Sequence, residues 1–71
     1  MATYHNHQCK GKRFRIRVAA LVGGSATGGF DAQPFEILNN TEVEFGAPLA
    51  ESTAKKALAR ARKAIDKACE A

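Results

Sequence analysis

Three sets of side chains in this 71-residue sequence are of types and spacings that do chemistry. His5, His7 and Cys9 alternate along one short segment. On an extended strand, residues two apart share a face about 6.6 Å from one another, and imidazole and thiolate groups so placed can chelate zinc or copper. These three are the candidate metal ligands. A closed tetrahedral site needs a fourth ligand, and the other thiol, Cys69, is expected to face the core or the end of a helix. The competing reading is a polar edge strand near a terminus.

The second set is Arg13, Arg15 and Arg17, a file on one face of a strand. Such a file tracks phosphates, or it is neutralised by Glu36, Glu42 and Glu44 from neighbouring strands, each opposite-charge pair contributing about 0.2–1 kcal/mol. Cross-strand neutralisation is the expectation. The third set is Lys56, Arg60, Lys63 and Lys67, recurring at four, three and four residues. At about 1.5 Å per residue they form a row of roughly 16 Å along one side of a helix, long enough to meet several phosphates. No carboxylate partner for this row is evident in the sequence, so it is the candidate nucleic-acid site. Bound to duplex through all four residues, it would act without sequence preference, with a salt slope of about −3 to −4. A basic, solvated helix face is the simpler reading.

No set suited to catalysis accompanies these residues. There is no recognisable Ser, His and Asp arrangement, no pair of carboxylates outside a charge-alternating strand, and no cysteine in an activating motif. An enzyme is not expected, and no cofactor is called for. Gly23 to Gly29 is rich in glycine but leads into a strand rather than a helix, unlike a phosphate-binding loop.

The elements that position these groups follow from periodicity. Ser52 to Cys69 has no Gly or Pro, and Ala54, Ala57, Leu58, Ala61, Ala64, Ile65, Ala68 and Cys69 fall within an arc of roughly 140°, the stripe of a core-facing helix. Ser52 and Thr53 carry hydroxyls suited to capping its start, although Lys55 and Lys56 oppose the helix dipole there. Arg13 to Val22 is the best strand, with Phe14, Ile16 and Val18 alternating with the arginines. Thr3 to Cys9 reads as a weak strand ahead of a turn at Lys10-Gly11-Lys12. Phe30 to Leu38 reads as a further strand, in which Pro34 removes a ladder donor and so implies an edge or a bulge. Asn39-Asn40 suits a tight turn into a last strand, Thr41 to Phe45, after which Gly46-Ala47-Pro48 carries the chain to the helix.

Length and composition bound the rest. A chain of this size folds as one domain, burying only about 60% of its unfolded surface, which leaves little room for a catalytic cleft. The net charge of +4 is regional: residues 1–35 hold five basic and one acidic side chain, residues 36–50 three acidic, and residues 51–71 six basic and three acidic. No apolar run approaches the ~20 residues that span a bilayer, and Met1 to Gln8 has no secretory pattern. The chain is therefore expected in the cytoplasm, with Cys9 and Cys69 as separate reduced thiols.

Two resemblances can be placed on particular residues. Thr53-Ala54-Lys55-Lys56-Ala57-Leu58-Ala59-Arg60, following the strands, resembles the last helix of double-stranded RNA-binding domains. That resemblance implies phosphate contacts by Lys55, Lys56 and Arg60. The whole chain is similar to short uncharacterised proteobacterial proteins through Tyr4, the strand Arg13 to Val18, the Gly-rich bend, Phe35 and the helix ending Ala61-Arg62-Lys63-Ala64-Ile65-Asp66. This second resemblance implies a β-β-β-α layout and no particular activity.

The fold expected is α+β: an antiparallel sheet of three or four strands packed by one face on a C-terminal amphipathic helix. Phe14, Ile16, Val18, Phe35, Ile37, Val43 and Phe45 are expected to meet Leu58, Ala61 and Ile65. The function expected is a small non-enzymatic interaction or structural protein, dimerising through a sheet edge or the outer sheet face. Weak nucleic-acid binding through the helix is the alternative.

Overall fold

The computed structural model describes residues 2–21 and 29–70. The alternation of Phe14, Ile16 and Val18 with Arg13, Arg15 and Arg17 makes β2 (Lys12–Ala20) a strand with one apolar and one cationic face. It pairs antiparallel with β1 (Ala2–Cys9) on one side and β3 (Phe30–Leu38) on the other. β3 in turn pairs with β4 (Thr41–Glu44) along one half of its length and with β5 (Leu49–Glu51) along the other. The helix α1 (Ala54–Glu70) closes the α+β fold by packing on one face of this antiparallel sheet.

Both tight turns use the left-handed backbone that two-residue hairpins require. Lys10 and Gly11 have φ of 49° and 79°, and Asn39 and Asn40 have 51° and 64°. Glycine relieves the strain at position 11, and asparagine tolerates that region better than most side chains. The expectations falling on Gly23 to Gly28 lie outside the described residues, while Leu21 N donates to Gly29 O at 2.9 Å where β2 and β3 meet that segment.

β1 is a full strand of eight residues rather than a weak one. β5 was not expected: after the break at Gly46-Ala47-Pro48 the chain pairs with β3 again before the helix begins. Pro34 explains that break. Phe45 N donates to Pro34 O at 3.0 Å, but the reciprocal bond is impossible because proline has no N–H. Instead the buried Gln33 side chain donates from Nε2 to Pro34 O at 2.8 Å and to Gly46 O at 3.1 Å, bridging the gap between β4 and β5. The expectation that Pro34 marks a sheet edge or a bulge is therefore corrected: it lies in an inner strand in unbroken register with β2, and its missing N–H falls where β4 and β5 leave a gap.

The core comprises Phe14, Ile16, Val18, Ala32, Ala57, Ala61 and Ile65. Phe45 meets Phe14 edge to face at 5.1 Å between ring centroids, and Leu58 packs at the rim of the cluster. Three expectations need correction. Phe35 and Ile37 do not meet the helix, because β3 pairs Ile16 with Pro34 and Val18 with Ala32, which puts Phe35 beside Arg15 on the opposite face. The small side chains of Ala32 and Pro34 are what let α1 approach over β3. Val43, on the helix side of β4, is 46% exposed, so the helix does not cover that strand. Ala64 and Ala68 are accordingly exposed as well, which narrows the buried stripe.

The helix begins at Ala54, directly after the two hydroxyl residues expected to cap it. Thr53 is its cap, accepting from Lys56 N at Oγ1 (3.1 Å), while Ala57 N donates to Thr53 O at 3.0 Å. Among the described residues, no helix is long and apolar enough to cross a membrane.

Candidate functional site

His5, His7 and Cys9 do share the helix side of β1, as their alternation requires, but each has a separate partner. His5 Nε2 lies 3.0 Å from Thr3 Oγ1. His7 Nε2 donates to Asp66 Oδ1 at 2.7 Å, with the imidazole mostly buried. Cys9 is joined to Cys69 by a disulfide across a Cα separation of 6.4 Å. The expectation of two separate reduced thiols is thereby corrected: 60 residues apart in sequence, the cysteines meet because α1 runs back across the sheet to the β1–β2 turn. Strand residues two apart and helix residues three apart each lie on one side of their element, so His7 and Cys9 reach Asp66 and Cys69 as a double tether. Among the described residues no group of three or more His, Cys, Asp or Glu side chains is arranged to hold a metal ion. A disulfide sulfur is also no thiolate ligand.

The helix row is divided. Arg60, expected to lack an acidic partner, donates from Nη1 to Glu51 Oε2 at 3.1 Å and to Ala50 O at 3.2 Å, so β5 holds it down. Lys56, Lys63 and Lys67 are exposed and make no salt bridge among the described residues.

The face of the sheet turned away from α1 carries the arginine file. The register sets Tyr4, Asn6 and Gln8 of β1 beside Arg17, Arg15 and Arg13 of β2, and these beside Gln33, Phe35 and, by continuation of the ladder, Ile37 of β3. Arg15 Nη1 reaches Glu42 Oε2 at 3.5 Å across β3, between side chains each about 40% exposed. Such an exposed, long contact contributes little. Glu36 is not available to the arginines, since it pairs in register with Phe14 and Val43 on the helix side. Neutralisation of the file thus falls to Glu42 alone among the expected three, and Arg13 and Arg17 make no salt bridge among the described residues.

The two edges of the sheet also differ. One is formed by β4 and β5, four and three residues long, the first carrying Glu42 and Glu44. The other is β1, eight residues with no Lys, Arg, Asp, Glu or Pro. The two-residue turn makes Cys9 and Lys12 a hydrogen-bonded pair, so the main chains of Thr3, His5 and His7 also face β2. Those of Ala2, Tyr4, Asn6 and Gln8 face away from it. Nothing in the sequence pattern distinguished these two edges, because which strand lies outermost is a property of topology.

Comparison with family models, with curated proteins and with solved structures found no match to this chain.

Proposed function

We propose that this chain is a small non-enzymatic interaction protein that works as a homodimer, joined by antiparallel pairing of β1 with β1 of a second copy. The observation that carries this reading is the contrast between the sheet's edges. Free strand edges are usually blunted by brevity, charge, proline or bulges. The β4 and β5 edge has the first two, whereas β1 has none of the four. Symmetric pairing in which residue numbers sum to ten sets Tyr4 opposite the second copy's Asn6 and Ala2 opposite its Gln8. It satisfies all four outward-facing residues of each copy with about eight main-chain hydrogen bonds. The same reading puts the dimer in the cytoplasm, where reducing conditions would hold the Cys9–Cys69 pair open. Against duplex binding by the helix row, Arg60 is committed to β5.

The test uses proline as a probe of which main-chain groups matter. Asn6→Pro removes an outward N–H and no bond to β2, so sedimentation should show a folded monomer where the unmodified protein is a dimer. His5→Pro removes a β1–β2 bond instead and should lower the melting temperature of the fold itself. A protein that sediments as a monomer at every concentration sinks the reading.

A further inference from the structure

Resting on that dimer, a second property of the sheet emerges. On the uncovered face, β1 and β2 together carry three arginines and no acidic side chain, while Asp31, Glu42 and Glu44 lie on β3 and β4. Joining two copies through β1 places the acidic side chains beyond the two arginine files, on both sides, and brings the files together in the middle. Two files of arginine then flank a central band formed by Tyr4, Asn6 and Gln8 of each copy. The files are three strand spacings apart, about 14 Å, and successive arginines within one stand about 6.6 Å apart.

We propose that this band binds single-stranded nucleic acid. Three features of the residues select that ligand. Arginines repeating along a strand with one long, exposed pair, Arg15 to Glu42, among them repel one another, and a polyanion running along them removes the repulsion. Tyr4, 60% exposed beside Arg17, and Phe35 beside Arg15 offer aromatic planes next to guanidinium groups, the pairing on which unpaired bases stack. The exposed amides of Asn6 and Gln8 offer both donors and acceptors to base edges that a single strand leaves open. Among the described residues no helix or loop stands on this face to enter a groove, which suits splayed bases and not a closed duplex.

Fluorescence anisotropy with labelled oligo(dT), oligo(U) and a duplex of equal length tests this. Binding to one or both single strands should exceed binding to duplex, and the comparison of the two decides between DNA and RNA. With five or six phosphates met, log affinity should fall with log salt at a slope of about −4. The double change Arg13→Gln, Arg17→Gln should bring that slope to about −1, and Tyr4→Ala should weaken binding about tenfold at constant slope. Lys56→Gln with Lys63→Gln, on the opposite side of the molecule, should change neither. No binding to either oligonucleotide at low salt, tighter binding to duplex, or a loss caused by the helix pair and not by the arginine pair overturns the proposal. The monomeric Asn6→Pro protein should bind with a slope of about −2, one file remaining. A monomeric unmodified protein with that same slope would remove the dimer and keep the single-strand site. A dimer that binds neither oligonucleotide would remove the site and keep the dimer.

Discussion

The two faces of β2 are written into alternate residues of one strand, yet the molecule treats them in opposite ways. Phe14, Ile16 and Val18 are almost wholly removed from water beneath α1, whereas Arg13 and Arg17 on the reverse side are exposed and without salt bridges among the described residues. The covered face is specified by shape, with Ala32, Ala57 and Ala61 setting how near helix and sheet come. The open face is specified by charge, and among the described residues Arg15 to Glu42 is its one salt bridge. Among the described residues there is one helix, and it covers one side of the sheet.

The comparison can be broken at several strengths. Phe14→Ala empties a fully enclosed site that also holds Phe45, and should cost about 3–5 kcal/mol in urea unfolding. Little change there would mean that the covered face is not the core. Reducing Cys9–Cys69 opens a loop closed across 60 residues and should cost about 2–4 kcal/mol, read as the difference between melts with and without dithiothreitol. Equal melts would show that the bond adds nothing to what His7 and Asp66 already hold. On the open face, Arg15→Gln breaks an exposed 3.5 Å pair and should shift stability by less than about 0.5 kcal/mol. A loss as large as that of Phe14→Ala would mean that this face is structurally committed after all.

Much of this was legible because a period of two and a period of about 3.6 leave different marks. β2, both tight turns and the body of α1 follow from them directly. Leu58 and Ile65 share the apolar arc, yet Leu58 packs at the rim while Ile65 is fully enclosed, because an arc does not say where along it the sheet ends. β3 turns toward the helix the face opposite to the one its apolar pattern implies, for a physical reason. Its larger apolar side chains, Phe35 and Ile37, pointed to the core, whereas close helix packing required the smaller Ala32 and Pro34 there. Hydrophobicity alone cannot choose between two faces that are both partly apolar; the register can, and it depends on pairing with β2.

The candidate site was legible residue by residue and not as an assembly. The alternation of His5, His7 and Cys9 correctly put them on one face, but their partners Asp66 and Cys69 arrive from the far end of the chain, a separation that local pattern does not span. The arginine file was visible, while its isolation from Glu36 depended on the same unread register of β3.

The disulfide has a mechanical consequence. It closes the chain from Cys9 to Cys69 into a covalent ring, and both turns, the core and nearly all of α1 lie inside it. A force applied at Ala2 and Glu70 would peel β1 as far as Cys9 and then meet the S–S bond, leaving the ring unstretched. With the bond reduced, the same pull would draw out roughly 200 Å of additional contour, at about 3.3–3.6 Å per residue. The protein is thus mechanically short when oxidised and long when reduced, and the sheet inside the ring is shielded from tension along the chain in the first state alone.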